Sequence, residues 1–216
     1  MKSKYDLIVV LVIVVNFAVF AVTGIKKFSR EWNDKRCKNN LKNIYSMALI
    51  YQNTYNGNIV PGVIKGTLWK WWPVFLIENT KTSKASWFYC PAHPKGQQEL
   101  KKLENPLIEF NRRPKIVNYG LNFKLSAEYN KKTTRLNISN IADPAYTVYF
   151  GDANFLYLWP TKSCWEKNYA PRHFDKSNFV FMDGHVKSMG KQTLGTYNNV
   201  KGWKLDRKRW INWLKL

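Results

Sequence analysis

Between Asp6 and Lys26 the chain carries no charged residue. Leu7 to Val22 is apolar except for Asn16, and with Thr23, Gly24 and Ile25 the run reaches nineteen residues. The hydrocarbon core of a bilayer is crossed by about 20 residues of helix. A stretch this long and uniform is therefore either a membrane anchor or a signal peptide. Signal peptides have an apolar region of roughly 7–15 residues, then a small-x-small cleavage site. Phe17 to Val22, FAVFAV, offers only a poor version of that site. The reading is an uncleaved single-pass anchor over residues 1–28. Lys26, Lys27, Arg30, Lys35 and Arg36 follow the run, whereas Lys2 and Lys4 precede it with Asp6 against them. The positive-inside rule alone places the C-terminal side in the cytoplasm.

The helix does not stop where the anchor does. Apolar residues recur at Leu41, Ile44, Tyr45, Ala48, Leu49 and Tyr51 or Gln52, in steps of three and four that mark an amphipathic helix. No proline falls between Leu7 and Val60, and the first strong stop is Asn56-Gly57-Asn58 ahead of Pro61. One helix is expected from about Tyr5 to about Tyr55. Its second half presents an apolar stripe that a globular domain, residues 29–216, must cover.

Composition supports a packed domain rather than disorder: of 216 residues, 45% are hydrophobic and 16% aromatic, with ten tryptophans. Lys and Arg number 35 against 14 Asp and Glu, a net charge of +21. That balance points to an anionic neighbour, whether lipid surface, acidic polymer or nucleic acid. The basic residues are scattered beside asparagines and form no arginine-rich block, so nucleic acid is not the expected partner.

Several blocks carry a resemblance. YDLIVVLVIVV, from Tyr5, is similar to the start of mature type IV pilins and type II secretion pseudopilins. CKNNLKNIYSMALIYQNTYNGNIVP (residues 37–61), LWKWWPVFL, FYCPAHP, VNYGLN and RHFDKSNFVFMDGHV follow in the order found in one pilin-like group. These are the prepilin-type processing-associated proteins named for a His, nine residues and Asp-Gly. Here the naming motif is His173, Asp183 and Gly184. The resemblance implies an α+β, pilin-like fold, with the long helix packed on an antiparallel sheet. It also implies a bacterial inner-membrane protein whose domain faces the periplasm or exterior, against the charge rule. Its implied partners are membrane lipid and other pilin-like subunits, met through the N-terminal helix. The processing site is degraded: Lys4 stands where the family has the cleaved Gly before Tyr5, and Val9 where it has the assembly Glu. Cys37 and Cys90 fall within the matching blocks, and pairing them as a disulfide is one reading; three buried thiols, with Cys164, is the other.

RHFDKSNFVFMDGHV has two readings. In the geometric one, Asn178–Met182 and His185–Met189 flank an Asp-Gly type I′ turn, part of a hairpin at residues 173–189. Phe179 and Phe181 then share one face, with Asn178, Val180 and Met182 on the other, and His173 is a buried hydrogen-bonding residue. The chemical reading gathers ligands from His173, Asp175, Asp183, His185, Cys90 and His93. Cys90-x-x-His93 has zinc spacing, but no second ligand pair accompanies it. Calcium held by Asp152, Asp175 or Asp183 lacks the acidic loop pattern such sites use. No nucleophile elbow, metalloprotease helix or phosphate loop is present, so neither catalysis nor a cofactor is expected.

Trp69, Trp71, Trp72 and Trp87 form an early aromatic group, and Trp159, Trp165, Trp203, Trp210 and Trp213 a later one. They are read as core filling, with stacking on sugars as the alternative. The tail from Lys201 carries six basic residues and one acidic. It suits a closing helix or strand, or a basic amphipathic helix on a membrane face. The expected role is that of a non-enzymatic pilin-like subunit of a secretion or pilus-like assembly. The alternative is an anchored binding module for acidic polysaccharide or DNA.

Overall fold

A computed structural model describes residues 4–64, 70–82, 84–93, 110, 117–122, 125, 136–141, 143–158 and 168–190. Trp69, Trp159, Trp165, Cys164 and the basic tail lie outside the described residues.

The helix α1 runs unbroken from Lys4 to Thr54, 51 residues, as its uninterrupted lack of proline requires. Its two halves differ in surroundings. From Ile8 through Phe28 to Trp32 every large apolar side chain is exposed. The polar groups in that half satisfy themselves: Asn16 Nδ2 donates to the Val12 carbonyl at 2.8 Å, and Thr23 Oγ1 to Val19 at 3.0 Å. Internal satisfaction of this kind is what a lipid environment demands. The segment is long and apolar enough to cross a membrane, as a signal sequence near the N-terminus also is. From Cys37 onward a stripe of Cys37, Leu41, Ile44, Ala48 and Tyr51 is buried. Met47 is buried too, while Leu49, expected on the stripe, stands at the solvent edge. α1 ends where Asn56 (φ 53°) and Gly57 (φ 79°) enter the left-handed region, with Gly57 N–H donating to the Gln52 carbonyl at 2.7 Å.

The stripe is covered by a mostly antiparallel sheet, so the fold is α+β. A two-stranded ribbon joins β1 (Val63–Ile64) to β2 (Lys70–Trp71), which leads into α2 (Trp72–Thr80). The main sheet is built from β3 (Tyr119–Asn122), β4 (Val148–Asp152), β5 (Tyr157–Leu158), β6 (Lys176–Phe181) and β7 (Val186–Gly190). Its order is β5-β3-β4-β6-β7, with only the β3–β5 pair parallel. The ladder between β4 and β6 shifts register between Val148 and Phe150. That irregularity turns both Tyr149 and Phe150 toward the helix and leaves Asp152 on the same side. Val180 and Met182 join the helix-side core, while Phe179 and Phe181 face the other way with Val148, Tyr169 and Met189. The alternation along β6 is thus as expected.

Trp72 is the largest fully buried side chain, set against Phe88 and Phe150, with its indole N–H donating to the Leu156 carbonyl at 2.9 Å. Trp71 and Trp87 are half-buried against the same core. The described tryptophans of the early group therefore fill the interior.

Candidate functional site: a buried Cys-Cys-Asp-His cluster

The two turns around β6 are not the ones expected. At Asp183-Gly184 only Gly184 has positive φ (90°). Gly184 N–H donates to the Phe181 carbonyl at 2.9 Å, and Phe181 N–H to the His185 carbonyl at 3.0 Å. This is a three-residue loop, a type I turn closed by a glycine bulge, rather than type I′. The pattern expected there belongs instead to Phe174 (φ 51°) and Asp175 (φ 60°). His173 and Lys176 exchange both backbone hydrogen bonds at 3.0 Å across them. Neither central residue is glycine, so the turn that carries His173 is strained.

That turn aims His173 inward, toward side chains from two other motif blocks and from β4. Cys37 comes from α1, Cys90 from the segment after the 3₁₀ turn Ala85–Phe88, Asp152 from the end of β4 and His173 from the turn before β6. All four are buried, and their sulfur, nitrogen and carboxylate donor atoms lie within 4.8 Å of one another. Cys37 Sγ donates to Asp152 Oδ1 at 3.3 Å. Cys90 Sγ is 3.2 Å from His173 Nε2, which is 3.5 Å from Asp152 Oδ2. Both thiols are free and buried.

An outer ring holds these groups in place. Asn178 N–H donates to Asp152 Oδ2 at 2.8 Å, and its amide donates to Asp34 Oδ1 at 2.8 Å. Asp34 also pairs with Lys38 at 2.7 Å and lies 3.7 Å from His173 Nδ1. Arg172 NH1 stands 3.7 Å from Asp152 Oδ1 and donates to the Asn118 carbonyl at 3.1 Å. Asn118 Oδ1 accepts from Cys90 N–H at 3.1 Å, and the Tyr119 hydroxyl donates to Cys37 Sγ at 3.5 Å. Residues from the Cys37, Cys90, Asn118-Tyr119 and His173 blocks thus serve one buried cluster.

The electrostatics follow from burial and mutual charge. Burial pushes the Asp152 carboxyl up to about 7, with the Cys90 charge adding to the rise and His173 and Arg172 opposing it. Burial drives the Cys37 thiol well up, reinforced by its bond to Cys90. For Cys90 burial also opposes ionisation, but bonds from Cys37 and His173, and the Arg172 charge, outweigh it and hold this thiol low. His173 is raised because Cys90, Asp152 and Asp34 overcome the effect of burial. Burial works against ionisation of Asp34 as well, yet hydrogen bonds from Lys38 and Asn178 keep its carboxyl below the ordinary value.

The other candidate ligands lie apart from this cluster. Asp175 is exposed on its turn. Asp183 is exposed and accepts from His185 N–H at 3.1 Å, with His185 Nδ1 at 2.7 Å. Of the three aspartates weighed for calcium, only Asp152 enters the cluster. His93 is not among the clustered ligands either: its N–H closes a turn onto the Cys90 carbonyl at 2.9 Å, and the imidazole 3.2 Å from Cys90 Sγ is that of His173. Lys4, Tyr5 and Val9 lie in the first turns of α1, and the Val9 side chain is exposed.

Compared with known protein families, with curated proteins and with solved structures, the chain finds no match in any of the three. A long apolar N-terminal helix packed on a mostly antiparallel sheet is consistent with a pilin-like fold.

Proposed function

We propose that this chain is a membrane-anchored, pilin-like envelope protein of the His-x9-Asp-Gly group. In this reading it acts without catalysis, as a structural or minor subunit of a secretion or pilus-like assembly. The observation that carries the reading is the division of α1: one unbroken helix is apolar and exposed from Ile8 to Ile25 and buries a stripe from Cys37 to Tyr51 in the domain. An exposed apolar surface of that extent needs lipid or neighbouring helices. Intact mass of the protein from its native membranes tests the assembly step. A mature chain beginning at Tyr5 supports processing and fibre entry. A chain retaining Met1 makes it a fixed anchor with a display or scaffold role.

A second reading, an anchored binder of anionic polymer such as acidic polysaccharide or DNA, rests on a shallow groove beside the Asp-Gly turn. Lys35, Lys38, Lys42 and His185 line it, although Lys38 is already paired with Asp34. Salt-sensitive retention of the protein on an anionic column, lost when Lys35 and Lys42 are changed to Gln, supports that role.

A further inference from the structure

We propose that Cys37, Cys90, Asp152 and His173 form a structural zinc site that fastens the second half of α1 to the sheet. The inference stands apart from the envelope role, since it needs only the cluster's geometry.

A tetrahedral zinc ion with bonds of about 2.0–2.3 Å places its ligand atoms about 3.3–3.8 Å apart. The cluster's sulfur–oxygen, sulfur–nitrogen and nitrogen–oxygen contacts of 3.3, 3.2 and 3.5 Å already approach those edges. The donor types suit zinc and do not suit calcium, which takes hard oxygen ligands. Charge closes as well. Two thiolates and one carboxylate bring −3, zinc brings +2, and Arg172 beside Asp152 supplies the remaining +1. On binding, whatever protons the two thiols, the Asp152 carboxyl and the Nε2 position of His173 still hold leave to solvent, and the freed lone pairs form the metal bonds without any change of oxidation state.

His173 supplies a further mark. Its Nδ1 is buried, makes no hydrogen bond within normal range, and lies 3.7 Å from Asp34 Oδ1. Metal on Nε2 fixes the proton on Nδ1 and gives it that carboxylate as acceptor, the usual arrangement behind a metal-bound imidazole. A disulfide between the same cysteines uses only the two sulfurs. It leaves the imidazole and the carboxylate converging on a bridge that needs neither. With all four ligands buried, no coordination position is open to solvent, which marks the site as structural rather than catalytic.

The test uses the full chain in detergent, purified without a metal-affinity tag or chelator, and then exchanged into cobalt(II). Elemental analysis is expected to give one zinc per chain. The cobalt form is expected to show sulfur-to-cobalt charge transfer and the intense visible bands of a tetrahedral ion. Asp34→Asn, which changes a positioning residue and leaves all four ligands in place, should retain that spectrum and weaken metal affinity about 10- to 100-fold. Cys90→Ser should reduce the charge-transfer band; should that variant not fold, the cobalt spectrum of the unaltered chain still decides. Absent or substoichiometric zinc that dialysis against zinc does not raise overturns the proposal. An octahedral cobalt spectrum without charge transfer does so equally, as does a native mass two hydrogens lighter, which would assign the cysteines to a disulfide.

Discussion

The Tyr45 hydroxyl donates to the Met182 carbonyl at 3.1 Å, and its ring occupies the space that a side chain on Gly184 would need. A Cβ on Gly184 would meet Tyr45 Cε1 at 2.6 Å. The glycine of the Asp-Gly pair thus answers two demands at once, a positive φ and the close approach of a helix.

Gly184→Ala is expected to lower unfolding stability by about 1–3 kcal/mol, through backbone strain and the clash with a packed ring. Denaturant titration followed by tryptophan fluorescence measures it. Tyr45→Phe keeps the ring and loses the hydroxyl, for about 0.5–1.5 kcal/mol. Combining Gly184→Ala with Tyr45→Ala should cost less than the sum of the two single changes, because the clash partner is gone. Strict additivity would show that the ring does not set the glycine requirement.

Phe174→Asn should stabilise the protein by about 0.5–1 kcal/mol. Phe174 is exposed at φ 51°, a conformation that Asn tolerates and Phe resists. A lower thermal midpoint for this variant would mean that the Phe174 ring makes a compensating contact.

Gly151 lies in β4 directly beneath Phe179, whose Cδ1 would sit 2.2 Å from an added Cβ. Gly151→Ala is expected to cost about 1–3 kcal/mol by overpacking. Phe179→Leu in the same background should recover part of the loss, which a thermal melt of the pair reads directly.

Stability should fall with rising pH above about 10. Burial raises the phenol of Tyr149, which is fully enclosed and accepts from Gln52 Nε2 at 3.3 Å. Tyr45 and Tyr169 are raised for the same first reason. A group whose proton is held more tightly in the folded chain ionises first in the unfolded one. Its contribution is therefore complete below the ordinary value of about 10 and is lost as pH climbs toward the folded value. Urea midpoints between about pH 8.5 and 11 should decline, and Tyr149→Phe should make the decline shallower. An unchanged slope in that variant would assign the loss to the other tyrosines.

Among the described residues no large apolar side chain from Ile8 to Trp32 is buried, so a chain beginning near Ser29 should fold and leave the detergent phase. Its thermal midpoint should match that of the full chain. Aggregation of this fragment would show that the domain needs the exposed apolar half of α1.

The helix was the most legible part of the fold, because a charge-free run and steps of three and four are local signals. The sheet faces along β6 were legible for the same reason, since alternation has a period of two. The turns were misplaced because Asp-Gly satisfies both a two-residue loop and a three-residue loop with a glycine bulge. Phe174-Asp175 carries no residue that announces a left-handed turn. The cluster was visible only in pieces. Cys37 and Cys90 stood out as a possible pair, His173 as a motif residue and Asp152 as one of three scattered aspartates. Their convergence spans sequence separations of 115 residues between Cys37 and Asp152, and 83 between Cys90 and His173. Local spacing rules do not reach that far, and Cys90-x-x-His93 satisfied them with the wrong imidazole. Arg172, Asn118 and Asn178 were missed as supports, although each sits inside a block already singled out.

The absence of any break in α1 has a mechanical consequence for the proposed envelope role. Cys37, where burial begins, stands about 18 Å along the axis from Ile25, and Tyr45 about 30 Å, at 1.5 Å per residue. With no hinge between, a tilt of about 20° in the bilayer would swing the Asp-Gly turn sideways by about 10 Å. The domain is carried as the far end of a lever, so the thickness of the surrounding lipid steers which neighbours it can reach.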